Sequence, residues 1–114
     1  MVTPSAGIVV TVLFPFSDLS SSKLRPAIVL ADSGRGDWIL CQLTSKPYSD
    51  TTAVQIEDED FISGSLHLTS YARPGKIFTA NESLMVTQVG KLKDDSFRKV
   101  VNAVIHLLQS HIPI

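Results

Sequence analysis

Lys23, Arg25, Thr44, Ser45, Lys46, Arg73 and Lys76 form a set of cations and hydroxyls able to hold a phosphodiester. The planar guanidinium fork of arginine matches phosphate oxygens in pairs, and a threonine or serine hydroxyl donates to a phosphate oxygen when the backbone fixes its place. Each of these residues falls near the end of a strand-forming run, and in a small barrel the strand ends of different hairpins can converge. The competing reading is that Arg25 and Arg73 shield sheet edges or pair with the acids at 57 to 60. Other chemistries lack their sequence signatures. The chain has no glycine-rich phosphate loop, no GxSxG elbow and no HExxH motif. His106 and His111 miss the i,i+4 spacing that puts two ligands on one helix face, His67 is remote from both, and Cys41 is the lone cysteine. The expectation is no metal site, no cofactor and no disulfide.

The elements that must position these groups can be read from periodicity. Ile8 to Phe14 is a continuous apolar, β-branched run, read as a buried strand that Pro15 closes. The loop Ser17 to Ser22 carries three consecutive serines. Pro26 cannot donate to a ladder, so the next strand is expected over Ala27 to Ala31, with Arg25 extended just outside its mouth. A turn at Asp32 to Asp37 leads into Trp38 to Thr44, which completes a three-stranded antiparallel meander. Thr52 to Glu57 reads as a weak strand, with Val54 and Ile56 on one face, and Asp58-Glu59-Asp60 as a solvated acidic turn. Leu66 to Tyr71 resumes as strand, Pro74-Gly75 turns the chain into Lys76 to Thr79, and Leu84 to Val89 is the last strand. From Asp95 the period changes: Phe97, Val100, Val101, Val104, Ile105 and Leu108 follow helical spacing, with Asp94 or Asp95 as N-cap. Short strands closed by one helix predict a small, strongly curved SH3-like β-barrel with a C-terminal amphipathic helix.

The 114 residues, 44% of them hydrophobic, suit one domain spanning 1–114. A net charge of -1 and a pI near 6.2 argue against a surface basic throughout, so a polyanion would need a local patch or a dimer groove. Without a basic leader at the amino terminus, or an apolar run near the roughly 20 residues that span a bilayer, a cytoplasmic protein away from membranes is expected.

Gly7-Ile8-Val9-Val10, Phe14-Pro15-Phe16, Lys23 to Leu30, Leu43-Thr44-Ser45, Asp60-Phe61 with Gly64-Ser65-Leu66, Ser70-Tyr71-Ala72-Arg73 and Lys76-Ile77-Phe78-Thr79 follow one another as the motifs of a known family do. In order and spacing the chain resembles the MazF/PemK family of toxin endoribonucleases over nearly its whole length. The resemblance implies a homodimer that cleaves single-stranded RNA without metal, the ribose 2′-hydroxyl attacking the adjacent phosphate to leave a 2′,3′-cyclic phosphate. It implies a cognate antitoxin whose acidic C-terminal segment competes for the RNA groove. By the same resemblance Arg25 and Thr44 contact the scissile phosphate. Arg25 acts there by charge stabilisation, since a guanidinium is a poor base, and Arg73 serves as proton donor or second charge stabiliser. Phe16, Ser17 and Tyr71 would meet the RNA, the aromatics by stacking unless they belong to the core, while Ser45, Lys23, Lys46 and Lys76 would meet its backbone. Leu107, read as exposed on the helix, would join the dimer.

The chain departs from the family at Ile8, where an acid is usual, and at Gly75, where some members carry an aspartate two residues after the arginine. Gly75 leaves the general base unassigned. His67 is the one nearby side chain in sequence with a suitable ordinary pKa, its competing reading being a partly exposed strand histidine. Two further classes stay open, a toxin of this fold that binds a protein target and an inactive relative that only binds.

Overall fold

The computed structural model describes residues 1–15 and 22–113. The seven strands are β1 (Ile8–Pro15), β2 (Ser22–Gly34), β3 (Asp37–Thr44), β4 (Val54–Ile56), β5 (Phe61–Gly64), β6 (Ser70–Asn81) and β7 (Met85–Leu92), followed by the helix α1 (Asp94–Gln109). Every pairing is antiparallel, in the order β4-β6-β3-β2-β1-β7-β5, and the sheet curls into a half-barrel with the helix against it. The meander β1-β2-β3 and the terminal helix are those predicted from the sequence.

Alternation of side chains divides the apolar residues between the two faces of this sheet. Val10, Val12, Ala27, Val29 and Leu40 build one core on one face, with Trp38 and Phe78 packed against it, and the Phe14 ring meets Phe78 edge-on at 5.0 Å. Val9, Ile28, Cys41, Leu43, Ile56, Ala72 and Leu92 build the other, which Val100 and Phe97 of α1 cover. Neither face is left to water along its middle.

Several boundaries differ from expectation; β4 is only Val54–Ile56, and β7 runs on to Leu92. β2 begins at Ser22 rather than Ala27 and runs through Pro26, which pairs with Thr11. The missing donor is tolerated because the ladder to β3 starts only at the next residue, Ala27↔Gln42. Pro74-Gly75 is not a turn. β6 passes straight through it, and the register to β3 jumps from Cys41↔Ile77 to Leu43↔Ala72, so residues 73 to 76 form a bulge. The buried thiol of Cys41 donates to the Arg73 carbonyl at 3.3 Å, satisfying an acceptor the bulge takes out of the ladder. Leu66 to Thr69 is loop, and a short strand, β5, forms over Phe61–Gly64 where a break was expected. The serine-rich loop after Pro15 falls, through residue 21, outside the described residues.

The helix starts at Asp94, capped by the Lys93 backbone without a side-chain bond, so Asp94 and Asp95 sit in its first turn and act on the dipole. Its start is fixed by Asp60. The Asp60 carboxylate accepts from the Ser96 hydroxyl at 2.8 Å, and the Asp60 carbonyl accepts from the Lys93 N–H at 2.8 Å. The buried helix face is Ser96, Val100 and Val104. Leu107, expected outside, is half-buried beside Gly75, while Ile105 and Leu108 face outward. Among the described residues no helix is long and apolar enough to cross a membrane.

The hairpin β2–β3 closes through Arg35 and Gly36, both at positive φ (57° and 81°), the type I′ geometry whose twist matches the strands. Elsewhere glycine answers to space. A Cβ at Gly64 would lie 2.1 Å from the Val89 carbonyl oxygen, whereas one at Gly34 would meet nothing within 4 Å; both backbones have positive φ. Gly64→Ala should therefore cost on the order of 3 kcal/mol and Gly34→Ala about 1 kcal/mol. Urea denaturation checks this, and equal costs would contradict the close β5–β7 approach.

Candidate functional site

At one end of the face that carries Val12, Ala27 and Leu40 the apolar residues give way to polar ones on the same alternation. Arg25 pairs with Val12 and Lys23 with Phe14, and since paired residues share a face, both cations continue that face outward. On β3 the sequence Leu40, Gln42, Thr44 stays on that side. The β2–β3 ladder begins at Ala27↔Gln42, and Arg25 and Thr44 are the residues two positions beyond that pair on their own strands. Thr44 pairs in turn with Tyr71 on β6, and Tyr71 with Gln55 on β4. Thr44, Tyr71 and Gln55 thus lie in a line across three adjacent strands, with Arg73 two residues along from Tyr71 and Arg25 just beyond the end of the β2–β3 ladder.

Thr44 closes β3. Its hydroxyl accepts from the Lys46 N–H at 3.1 Å and donates to the Lys46 carbonyl at 3.2 Å, which fixes the oxygen and turns the chain outward. Ser45 and Lys46 follow as exposed residues, Lys23 is exposed on β2, and Lys76 is exposed at the far end of the bulge. Tyr71 is half-buried. Phe16 and Ser17 lie outside the described residues.

Arg73 is held from a direction that sequence reasoning missed. Its Nε donates to Asp50 Oδ2 at 3.0 Å, and the two side chains are only 22% and 14% exposed. Asp50 is itself fixed, since its other oxygen accepts from the Thr52 N–H at 2.9 Å and the Thr52 hydroxyl at 2.6 Å. Its backbone N–H donates to the Pro47 carbonyl at 2.9 Å. The Thr52 hydroxyl, followed by Arg73, holds the Asp50 carboxyl below the ordinary carboxylate range. Asp50-Thr51-Thr52 reads in the sequence as an aspartate that folds back on its own chain, but nothing there joins it to a residue on another strand. The pairing of Arg73 with the acids at 57 to 60, weighed from the sequence, does not occur. Those acids serve the turn, where Asp60 accepts from the Glu57 N–H at 2.7 Å and the Ser65 hydroxyl donates to Asp58.

His67 is on a loop rather than a strand, exposed, with φ 58° and its N–H donating to the Ser65 hydroxyl at 2.8 Å. It lines a cavity of about 440 Å³ with Glu57, Asp58, Glu59, Leu68 and Thr69, apart from Arg25, Thr44 and Arg73. Cys41 is fully buried, and desolvation pushes its thiol up to about 12, which removes it as a nucleophile. Among the described residues no group of three or more metal-ligating side chains is assembled. The arginine guanidinium groups are donors suited to a phosphodiester and to negative charge developing on it, while the Thr44 hydroxyl proton is given to the Lys46 carbonyl.

The model of the PemK-like, MazF-like toxins of type II toxin-antitoxin systems matches residues 5–108. No curated protein matches the chain. Among solved structures, an endoribonuclease in complex with its cognate antitoxin from a mycobacterial species aligns with TM-score 0.72 at 20% identity, covering 97% of this chain and 100% of that one. A MazE-MazF structure from Deinococcus radiodurans aligns with TM-score 0.73 at 20% identity, covering 93% and 96%. The Mycobacterium tuberculosis toxin MazF-mt6 aligns with TM-score 0.64 at 12% identity, covering 88% and 96%. At these identities the likeness is one of fold.

The Asp50 environment sets a sign for stability against pH. A carboxyl held low when folded stabilises the protein above its ordinary value of 3.8 and loses that contribution as pH falls through the lowered value. Asp50→Asn should cost about 1–2 kcal/mol at pH 7, and the difference from the parent should close below about pH 4. Urea denaturation at pH 7 and pH 3 measures it, and a gap that widens on acidification would contradict the assignment.

Proposed function

The chain belongs to the PemK-like, MazF-like toxin family of type II toxin-antitoxin systems, and from that membership we propose that it is an endoribonuclease toxin that cuts single-stranded RNA at the Arg25–Thr44–Arg73 edge. The observation that supports this reading is the register, in which Thr44 at the end of β3 pairs with Tyr71 on β6, two residues from Arg73, while Arg25 lies on β2 two residues before the first β2–β3 pair, Ala27↔Gln42.

The substrate brings its own nucleophile. The ribose 2′-oxygen attacks the adjacent phosphorus, a 2′-O–P bond forms as the P–O5′ bond breaks, and the products are a 2′,3′-cyclic phosphate and a 5′-hydroxyl. The 2′-hydroxyl proton passes to solvent, and the departing 5′-oxygen takes one up. What the protein must supply is compensation for charge gathering on the non-bridging oxygens, together with in-line placement. Arg25 does the first, because its guanidinium stays charged through the reaction. Thr44 turns its hydroxyl proton from the Lys46 carbonyl to one phosphate oxygen, and Arg73 stabilises charge from the β6 side. Lys23, Ser45, Lys46 and Lys76 meet flanking phosphates, with Tyr71 beside a base. No metal is required by this scheme. His67, in its separate cavity, is given no step.

The net charge of -1 fits a groove made by two copies, in which the cations of both protomers align. The same cationic edge would take the acidic segment of an antitoxin, which would neutralise the protein by competition; the mycobacterial endoribonuclease is in complex with its cognate antitoxin.

Incubation of the purified protein with a long single-stranded RNA in EDTA should give discrete cuts ending in cyclic phosphate. Arg25→Ala should lower the rate at least 100-fold, about 3 kcal/mol of transition-state stabilisation, with the fold intact by circular dichroism. Intact RNA with the parent protein would replace this reading with a non-catalytic binding role.

A further inference from the structure

Asp50 stands outside every motif that identified the site, yet it makes the one ion pair of Arg73 among the described residues. The pair is one-sided. Asp50 takes only Nε, and no described residue accepts from either Nη nitrogen. A guanidinium held at Nε keeps its other two nitrogens side by side and free to present a fork to two oxygens of a phosphate. A free arginine side chain has many rotamers, and fixing it beforehand lowers the entropic cost of gripping a ligand.

The tether is itself rigid at both ends. Thr52 binds the second carboxylate oxygen through both its N–H and its hydroxyl, and Tyr48 and Ser49, just before Asp50, hold successive left-handed conformations at φ 53° and 64°. Such backbone persists where surrounding bonds dictate it, and here the Asp50 N–H closes the turn onto the Pro47 carbonyl. Position 75 offers no alternative anchor. A side chain there would approach Leu107 Cδ2 at 3.7 Å and so be directed at the helix.

We propose that Asp50, braced by Thr52, is a positioning residue that holds Arg73 by Nε and aims its two Nη nitrogens at a phosphodiester of the bound strand. The proposal rests on the ribonuclease reading for its substrate class. Asp50 is not the general base: its lone pairs already receive Arg73 and Thr52, and those bonds hold its carboxyl low, which makes it a weak proton acceptor.

Bulk electrostatics and positioning predict opposite signs, which makes the test decisive. Removing an acid beside a cationic edge should tighten a polyanion by simple charge, whereas losing the aim of Arg73 should weaken it. The probe is a single-stranded oligodeoxynucleotide, which lacks the attacking 2′-hydroxyl, titrated at fixed salt. Asp50→Asn should weaken binding about 5-fold to 10-fold, Thr52→Val, which leaves the charge unchanged, about 2-fold to 3-fold, and Arg73→Ala at least as much as Asp50→Asn. The double variant Asp50→Asn/Arg73→Ala should bind no worse than Arg73→Ala alone. The Arg73 Nε–Hε resonance, protected from exchange in the parent, should lose that protection in Asp50→Asn while the amide spectrum of β6 stays in place. Unchanged or tighter binding by a folded Asp50→Asn, or additive losses in the double variant, would overturn the proposal. If Asp50→Asn does not fold, Thr52→Val decides, and undiminished binding by it would overturn the proposal. If the parent protein leaves RNA uncut, the ribonuclease reading falls, and the oligonucleotide affinities still settle what Asp50 does.

Discussion

Val12, Ala27, Val29 and Leu40 fill one face of the curled sheet, and Ile28, Cys41, Leu43 and Ala72 fill the other under the helix. A sheet buried on both sides has no free face for polar chemistry, so charged side chains can continue its alternation only where the apolar filling stops. That happens where β2 and β3 run past the core of Val12, Ala27, Val29 and Leu40. Arg25 lies one alternation beyond Ala27, and Thr44 two beyond Leu40. The same rule that buries the valines therefore puts the arginine and the threonine on one face of the sheet, on strands whose positions are fixed by the ladders further in.

The β6 bulge supplies what the regular ladder could not. By opening the register between Cys41 and Leu43, it lets residues 73 to 76 leave the plane while β6 remains one strand, and it places Pro74 where a missing N–H costs no ladder bond. The Cys41 thiol ties the displaced Arg73 carbonyl back to the core, and Asp50 ties the Arg73 side chain to the loop after β3. Arg73 is thus held at both ends by residues from β3 and the segment that follows it. The candidate site is built on the neighbouring strands β3 and β6 and the loop that follows β3, with β2 carrying Arg25 on the other side of β3.

The strand meander, the amphipathic helix and the cationic candidates were legible because each has a local signature: β-branched runs, a helical apolar period, and charged residues next to proline. Pro26 and Pro74 misled for one reason. Proline marks a place where one ladder bond is missing, and sequence cannot say whether the neighbouring strand needed that bond; at Pro26 it had not yet begun, and at Pro74 a bulge had removed it. Leu107 was placed outside because helical spacing gives a stripe without its centre, and the helix turned out to bury Ser96, Val100 and Val104. Asp50 was illegible for a deeper reason. Its partner is 23 residues away on another strand, and a lone aspartate before Thr51-Thr52 carries no mark of a tertiary contact.

The central claim is that RNA lies along the edge that joins Arg25, Thr44 and Arg73. Titration of the labelled protein with a single-stranded 2′-O-methyl RNA, which cannot be cut by 2′-hydroxyl attack, tests it most directly when followed by NMR at backbone amides and arginine Nε–Hε groups. The account predicts saturable shifts at Arg25 and Arg73 Nε–Hε and at the Thr44 and Tyr71 amides, with the buried helix residues Val100 and Val104 unmoved. Shifts confined to the helix or to the His67 cavity, with both arginines silent, would contradict it.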